Sequence, residues 1–500
     1  MVVLANRSRN AWRASAAALV AVIVLAGGFY AVRDAAWVHK IGFLERLATI
    51  SLQDNTTKAR FLNWSIAWQG VKERPILGWG QENYAIVFDK YYDPRMYAQE
   101  PWFDRVHNII FDWLVAGGLV GLFAYLSIFV AAMWTLWRRT RAEAHVFTVA
   151  ERSLLTGLLA AYSIHNFFVF DNVTSYILFG TILAYVVWRS SEANRSLPLV
   201  KRQLLPRNVL PIITVVIALC VWGGAYEVNG KALAANRALI AAISPTSEGN
   251  VLNNLADFKT AINYGTFGTQ EMREQLAQIT TQIASSNLST DVKQQFFTTA
   301  VQEMTLQEKV SPLDARAPLF VGVIENAYGD YADAGASLEK AHELSPDKQS
   351  ILFELGSNQV ARGDFTGAVA SFKQAYEVDT DDTEARIYYV AALIQTGNDA
   401  LGDQVLAPIV ASGDAADPRI ASAYASRKEY NKIVPIWQAH IKADPTDLQA
   451  YFTLAAALYA SGAKDQAITT LQAVEKESPS AVSQAETFIQ QPQERYCQSA

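Results

Sequence analysis

Residues 109–137 read IIFDWLVAGGLVGLFAYLSIFVAAMWTLW. A helix needs about 20 mostly apolar residues to cross a bilayer, because lipid offers no partner to an unpaired backbone group. This run is long enough. Working outward from it, four more stretches qualify: Ala14 to Val32, Leu154 to Phe170, Tyr176 to Trp188 and Val209 to Tyr226. Only Asp171, Asn172, Val173, Thr174 and Ser175 separate the third and fourth spans, which read equally as one bent hairpin. Beyond about residue 230 the apolar runs give way to Ala, Gln, Asp and Lys at ordinary globular density. The chain therefore has two regimes, and both read as helix.

The basic residues beside the spans set their direction, since cytoplasmic flanks carry the excess of Lys and Arg. Arg7, Arg9 and Arg13 precede the first span, Arg138, Arg139 and Arg141 follow the second, and Arg189, Arg195, Lys201, Arg202 and Arg207 lie between the fourth and fifth. With five spans, all three clusters fall on one side, the cytoplasmic one. The loop at 33–108, the turn at Asp171 and everything after Glu227 are then exocytoplasmic, in a multi-pass protein of the plasma (inner) membrane. The first run also has the basic start and short apolar core of a signal peptide, with Ala26, Gly27 and Gly28 as its cleavage region.

The formal net charge of -6 and the lack of a long basic stretch exclude nucleic acid as a partner. Cys220 lies inside an apolar run and Cys497 near the C-terminus, so a disulfide framework is not expected and metal-ligand spacing is absent.

In the second regime the chain repeats itself. Gly329-Asp330-Tyr331 returns as Gly363-Asp364-Phe365 and, more weakly, as Gly397-Asn398, each a step of 34 residues. That is the tetratricopeptide period. Each such unit is a helix pair whose small residues, here Ala341, Ala368 and Ala375, let neighbours approach, and units stack because none buries its apolar face alone. About five units fit between Asp314 and Pro479, with a shortened one around Lys428-Glu429-Tyr430. Phe353, Phe372, Tyr388 and Tyr389 fall at helical spacing as core, and a concave face remains for a partner protein. The expected division is a membrane domain over 1–230, a helical connector over 231–310 and a repeat domain over 311–490.

Chemistry is expected in the loop at 33–108. In order it carries Arg60-Phe61-Leu62-Asn63-Trp64, then Pro75-Ile76-Leu77-Gly78-Trp79-Gly80, then Arg105-Val106-His107-Asn108. A guanidinium grips phosphate oxygens in a planar fork, and an imidazole titrates near neutrality and takes or steers a hydroxyl proton. Arg74, Glu73, Arg95 and Glu100 read as solvated or structural, and His165-Asn166 as a polar contact inside a span.

These residues resemble the O-antigen ligase and polymerase family. Its shared region has an arginine-led amphipathic helix, a Pro-x-x-Gly-x-Gly turn and a His-Asn pair opening the next membrane helix. Arg60, then Pro75, Gly78 and Gly80, then His107 and Asn108 match in order, and Gly117-Gly118 matches the family's glycine-broken helix. The resemblance covers roughly residues 1–190, and some members carry a trailing tetratricopeptide domain. It implies an all-α chain, with a partial membrane domain of GT-C-like architecture followed by a tetratricopeptide solenoid. The activity implied is that of a membrane glycosyltransferase of polysaccharide biosynthesis in the cell envelope. Such an enzyme passes a glycan from an undecaprenyl diphosphate carrier to an acceptor outside the membrane, as ligase or polymerase, with no cofactor and no essential metal.

On that reading His107 acts near the attacking hydroxyl and Arg60 binds the diphosphate, with Arg105 and Asn108 as further substrate contacts and Pro75, Gly78 and Gly80 as a structural turn. The chain begins at what looks like the family's middle and is expected to be an N-terminally truncated member. The competing expectation is a non-catalytic scaffold, anchored in the membrane, whose repeats recruit envelope proteins.

Overall fold

The computed structural model describes residues 9–49, 54–99, 101–138, 146–193, 209–244 and 250–477. Arg7, Glu100, Arg139, Arg141, Arg195, Lys201, Arg202, Arg207 and Cys497, weighed above, lie outside them, as does the C-terminal stretch from 478. Among the described residues every regular element is helical. The chain forms two compact units, Met1–Gly224 and Ala225–Ala500.

In the first unit, α1 (Arg9–Val32) and the short α2 (Gly42–Ala48) lead into α3 (Asn55–Glu73), α4 (Tyr84–Lys90) and a single 3-10 turn at Pro94–Met96. Then come α5 (Ile109–Trp137), α6 (Val149–Phe167), α7 (Val173–Ala193) and α8 (Leu210–Ala225). The core joins α3 and α4 to the start of α5 through Ile66, Val71, Val87, Phe88, Val106 and Val115. A capping box at Thr148 and Glu151 opens α6. Helices α6 and α7 form a hairpin. Tyr162 stacks on Phe179 at 4.6 Å, and the Tyr185 hydroxyl donates to Glu151 at 2.9 Å.

Three helices among the described residues are long and apolar enough to cross a membrane: Ile109–Trp137, Val173–Ser191 and Pro211–Ile243; Val20–Val32 is a shorter apolar segment. Leu219, Val221 and Trp222 stand exposed on the third, a surface suited to lipid or protein and not to water. The first ends where the apolar run ends, but it is not one straight helix. Gly118 breaks it with φ 60° and ψ -158°.

In the second unit, α9 (Lys231–Ile243), α10 (Val251–Asn263), α11 (Thr269–Ala284) and α12 (Thr290–Val310) share a core around Leu255, Phe258, Leu276 and Phe296. Five helix pairs follow: α13 (Arg316–Tyr328) with α14 (Tyr331–Leu344), α15 (Gln349–Ala361) with α16 (Phe365–Val378), α17 (Thr383–Gln395) with α18 (Asp399–Val410), α19 (Pro418–Ser426) with α20 (Tyr430–Ala443), and α21 (Leu448–Ala460) with α22 (Lys464–Glu477). The shortened unit is the fourth, whose first helix has 9 residues. Ala341, Ala368 and Ala375 are wholly buried between helices, as close approach demands.

The repeated glycine has a conformational cause. Gly329, Gly363 and Gly397 end the first helix of their pairs at φ 84°, 77° and 83°, the left-handed turn that costs glycine nothing. Gly462 does so in the last pair, and in the short fourth pair Lys428 occupies the place at φ 62°.

Candidate functional site

Helix α3 positions Arg60. It is opened by Asp54, whose carboxylate accepts from the Thr56 N–H, and it stops at Arg74, because the residue before Pro75 resists helical dihedrals. Ala59, Asn63, Ile66, Ala67 and Gly70 make its buried stripe. Arg60 sits half-buried at the edge of that stripe. Its guanidinium has no ion-pair partner among the described residues.

Asn63, one turn further on, is wholly buried and reaches across the loop. Its amide donates to the carbonyls of Arg105 and Val106, each at 3.1 Å, and its side-chain oxygen accepts from the Tyr84 hydroxyl. Burial holds that hydroxyl well above the ordinary phenol range, so it remains a donor. The segment entering His107 is thereby fastened to the helix that carries Arg60.

His107 takes φ 60°, a left-handed conformation uncommon outside glycine. Its Nδ1 lies 3.2 Å from the Arg105 carbonyl. A carbonyl only accepts, so in the neutral ring Nδ1 holds the proton and Nε2 is left as the basic nitrogen. The ring meets Phe103 at 5.7 Å and Phe170 at 5.0 Å, both edge-on. Phe170 lies in the turn between α6 and α7, and Trp64, one helical turn beyond Arg60, meets Phe167 at 5.6 Å. Trp64 and His107 thus each pack on an aromatic ring at the junction of α6 and α7.

Asn108 is 1% exposed, and its side-chain oxygen accepts from the N–H groups of Ile110 and Phe111 at 2.9 and 3.2 Å. It caps α5. Arg105 is engaged twice, to Glu82 at 2.9 Å and to Asp112 at 3.3 Å, with its guanidinium 5.2 Å from the centre of the Phe170 ring. Its charge is matched by carboxylates, whereas that of Arg60 is not. Asp112 also accepts from the Val106 N–H at 2.9 Å. A cavity of about 30 Å³, room for a water molecule, lies between Glu82, Arg105, Asp112 and Tyr176.

Pro75, Gly78 and Gly80 form a turn that plugs the break in α5. Trp79 and Gly80 donate to the carbonyls of Val115 and Ala116 at 2.7 and 3.0 Å; Leu119 and Val120 donate back to those of Pro75 and Ile76 at 2.8 and 3.2 Å. Four backbone groups freed by the break are thereby satisfied, as non-helical backbone at membrane depth requires. The fit leaves no room for side chains. A Cβ on Gly78 would lie 2.4 Å from the Val115 carbonyl oxygen, and one on Gly118 2.3 Å from that of Ile76.

Three other charged loop residues, Glu73, Arg74 and Arg95, are structural. Glu73 binds Lys90 at 2.8 Å, and Lys90 with Tyr91 holds its carboxyl below the usual range. Arg74 lies over Trp79 at 4.0 Å, and Arg95 grips Asp93 at 2.6 Å. Asn166 is buried and donates to Asp171 at 2.6 Å, while His165 is exposed. Asn63, Asp112 and Phe170 were missed as site residues. Only Asp112 left a signal, an acid inside an apolar run.

The repeats carry a separate hollow of about 430 Å³, lined by Ser357, Phe372, Tyr388, Gln395 and Arg419. Tyr388 stacks on Phe353 at 4.6 Å and Phe372 at 5.0 Å, under the Arg419 guanidinium at 4.4 Å. Among the described residues no three His, Cys, Asp or Glu side chains gather to hold a metal ion.

Residues 1–126 match the family model described as O-antigen ligase, and residues 359–426 match the one described as tetratricopeptide repeat. No curated protein matches the chain. Similar solved structures include a tetratricopeptide repeat protein from Parabacteroides merdae, at 18% identity over 41% of this chain and 80% of that one, TM-score 0.31. MamA is 22% identical over 32% of this chain and 96% of its own, TM-score 0.26. Yeast Tom70 is 14% identical over 87% of this chain and 96% of its own, TM-score 0.33.

Proposed function

We propose that the first unit takes part in glycan transfer from an undecaprenyl-diphosphate-linked donor on the outer face of the plasma membrane, by ligation or polymerisation. The observation that carries this reading is the Asn63 bridge, which fastens the segment entering the strained His107 to the helix that carries the unpaired Arg60. The match of residues 1–126 to the O-antigen ligase model supports it.

In the reaction, an acceptor hydroxyl oxygen attacks the anomeric carbon and the bond from that carbon to the diphosphate oxygen breaks. The electron pair leaves with the diphosphate, and the hydroxyl proton passes to Nε2 of His107. Arg60 holds the departing diphosphate with its guanidinium fork. Arg105 positions the loop through its two carboxylate partners, and Asn108 acts through the helix it caps. The loop at 33–108 and the residues after Glu227 face away from the cytoplasm in this scheme. Residues 1–230 are the membrane domain, 231–310 the connector and 311–490 the repeat domain, whose Tyr388 hollow takes a partner protein.

The test is transfer from a purified lipid-linked donor in reconstituted membranes. Arg60→Lys keeps the charge and loses the fork, so it is expected to fall roughly a hundredfold, as is His107→Ala. Full transfer by both variants favours the scaffold reading, in which the membrane unit serves only to anchor the repeats.

A further inference from the structure

A hollow of about 540 Å³ lies between α3 and the segment at 95–99, on the flank of α3 remote from Arg60. At 100° per residue, Lys58 and Leu62 fall about half a turn round the helix from Arg60. The floor is apolar, from Ala59 and Leu62, and the rim presents the rings of Phe61 and Tyr97, 48% and 40% exposed. Asn55, Ser65 and Gln99 also line the hollow, with hydroxyl and amide groups that both donate and accept. Lys58 is exposed with no ion-pair partner among the described residues.

Among the described residues no carboxylate lines this hollow. Asp54, beside Asn55, accepts from the Thr56 N–H, and Asp93 binds Arg95; Glu100, next to Gln99, lies outside the described residues. Flat exposed rings, amide and hydroxyl groups and an unpaired lysine fit a ligand with apolar C–H faces, many hydroxyls and negative charge. A lipid tail would leave the amides unused, and a neutral sugar would leave Lys58 unmatched.

We propose that this hollow is a second binding site on the loop, taking a stretch of anionic glycan, such as one carrying uronic-acid carboxylates. It rests on the reading of the first unit as a glycan transferase. It adds that sugars remote from the reacting bond are held on the far side of α3, and that charge selects them.

The probe is tetragalacturonate, against uncharged maltotetraose, in equilibrium binding to the whole chain in uncharged detergent. Tetragalacturonate is expected to bind at least tenfold more tightly, to weaken as salt rises from about 0.1 to 0.5 M, and to lose about tenfold in Lys58→Gln and again in Tyr97→Ala. Both positions are exposed, and circular dichroism checks that the variants stay folded. Equal affinity for the two sugars, or indifference to both substitutions, overturns the proposal. So does binding of dihexanoyl phosphatidylglycerol without tetragalacturonate, which makes the hollow a lipid contact. Arg60→Lys is expected to leave this binding unchanged, so failure of transfer and failure of the hollow are read separately.

Discussion

Left-handed glycines occur in both units, and their surroundings differ. An added Cβ at Gly329, Gly363 or Gly462, between repeat helices, would meet nothing within 4 Å. At Gly78 and Gly118 it would run into backbone at 2.4 and 2.3 Å. At those three repeat positions glycine supplies only a dihedral angle; at Gly78 and Gly118 it supplies the angle and the space. A helix pair needs one reversal of direction and has solvent beyond it, so Lys428 can stand in. The plugged break in α5 needs two backbones in contact, and no side chain can stand there.

The strongest way to break this contrast is Gly118→Ala. Its φ and ψ lie in a region almost reserved for glycine, and the clash is with backbone, so a loss on the order of 3 kcal/mol and of nearly all transfer is expected. Thermal unfolding of the purified chain, with transfer measured alongside, is the check. A tolerated alanine would mean the turn and the break are not truly joined.

Next comes Asn63→Ala. It removes the amide that donates to two loop carbonyls, while the Tyr84 hydroxyl keeps the main-chain carbonyl of residue 63, a loss of about 2 kcal/mol. Transfer should fall as His107 loses its footing, while the repeats keep their helicity. Unchanged transfer would mean the bridge does not position the histidine.

The smallest effects sharpen the other side. Gly363→Ala meets only the dihedral penalty, about 1 kcal/mol, and Lys428→Gly should stabilise by about 0.5 kcal/mol. Both are read as shifts of the repeat melting transition. A loss at Gly363 as large as that at Gly118 would erase the distinction between the units.

The same contrast explains what could be read from sequence. The repeats were legible because their signals are local: Gly363 follows Gly329 by one period, and each pair packs mainly on its neighbours. The span at 109–137 was legible from length alone, and the turn at Pro75, Gly78 and Gly80 from its order. Asn63 was not, because its partners lie 42 and 43 residues away and a buried amide on an amphipathic helix has no periodic mark. Arg105 and Asn108 were visible as polar residues beside a histidine, but sequence could not tell that Glu82 and Asp112 match the charge of one and that a helix end occupies the other.

The pairing of Gly78 with Gly118 also bears on how this protein can change. In an ordinary core, a residue that grows is rescued by a neighbour that shrinks, and second-site suppressors arise that way. Here each glycine presses on the other segment's main chain, which has nothing to trim. Neither lesion has an easy suppressor across the contact, so a lineage that loses either glycine regains the fold most readily by reverting at that same codon.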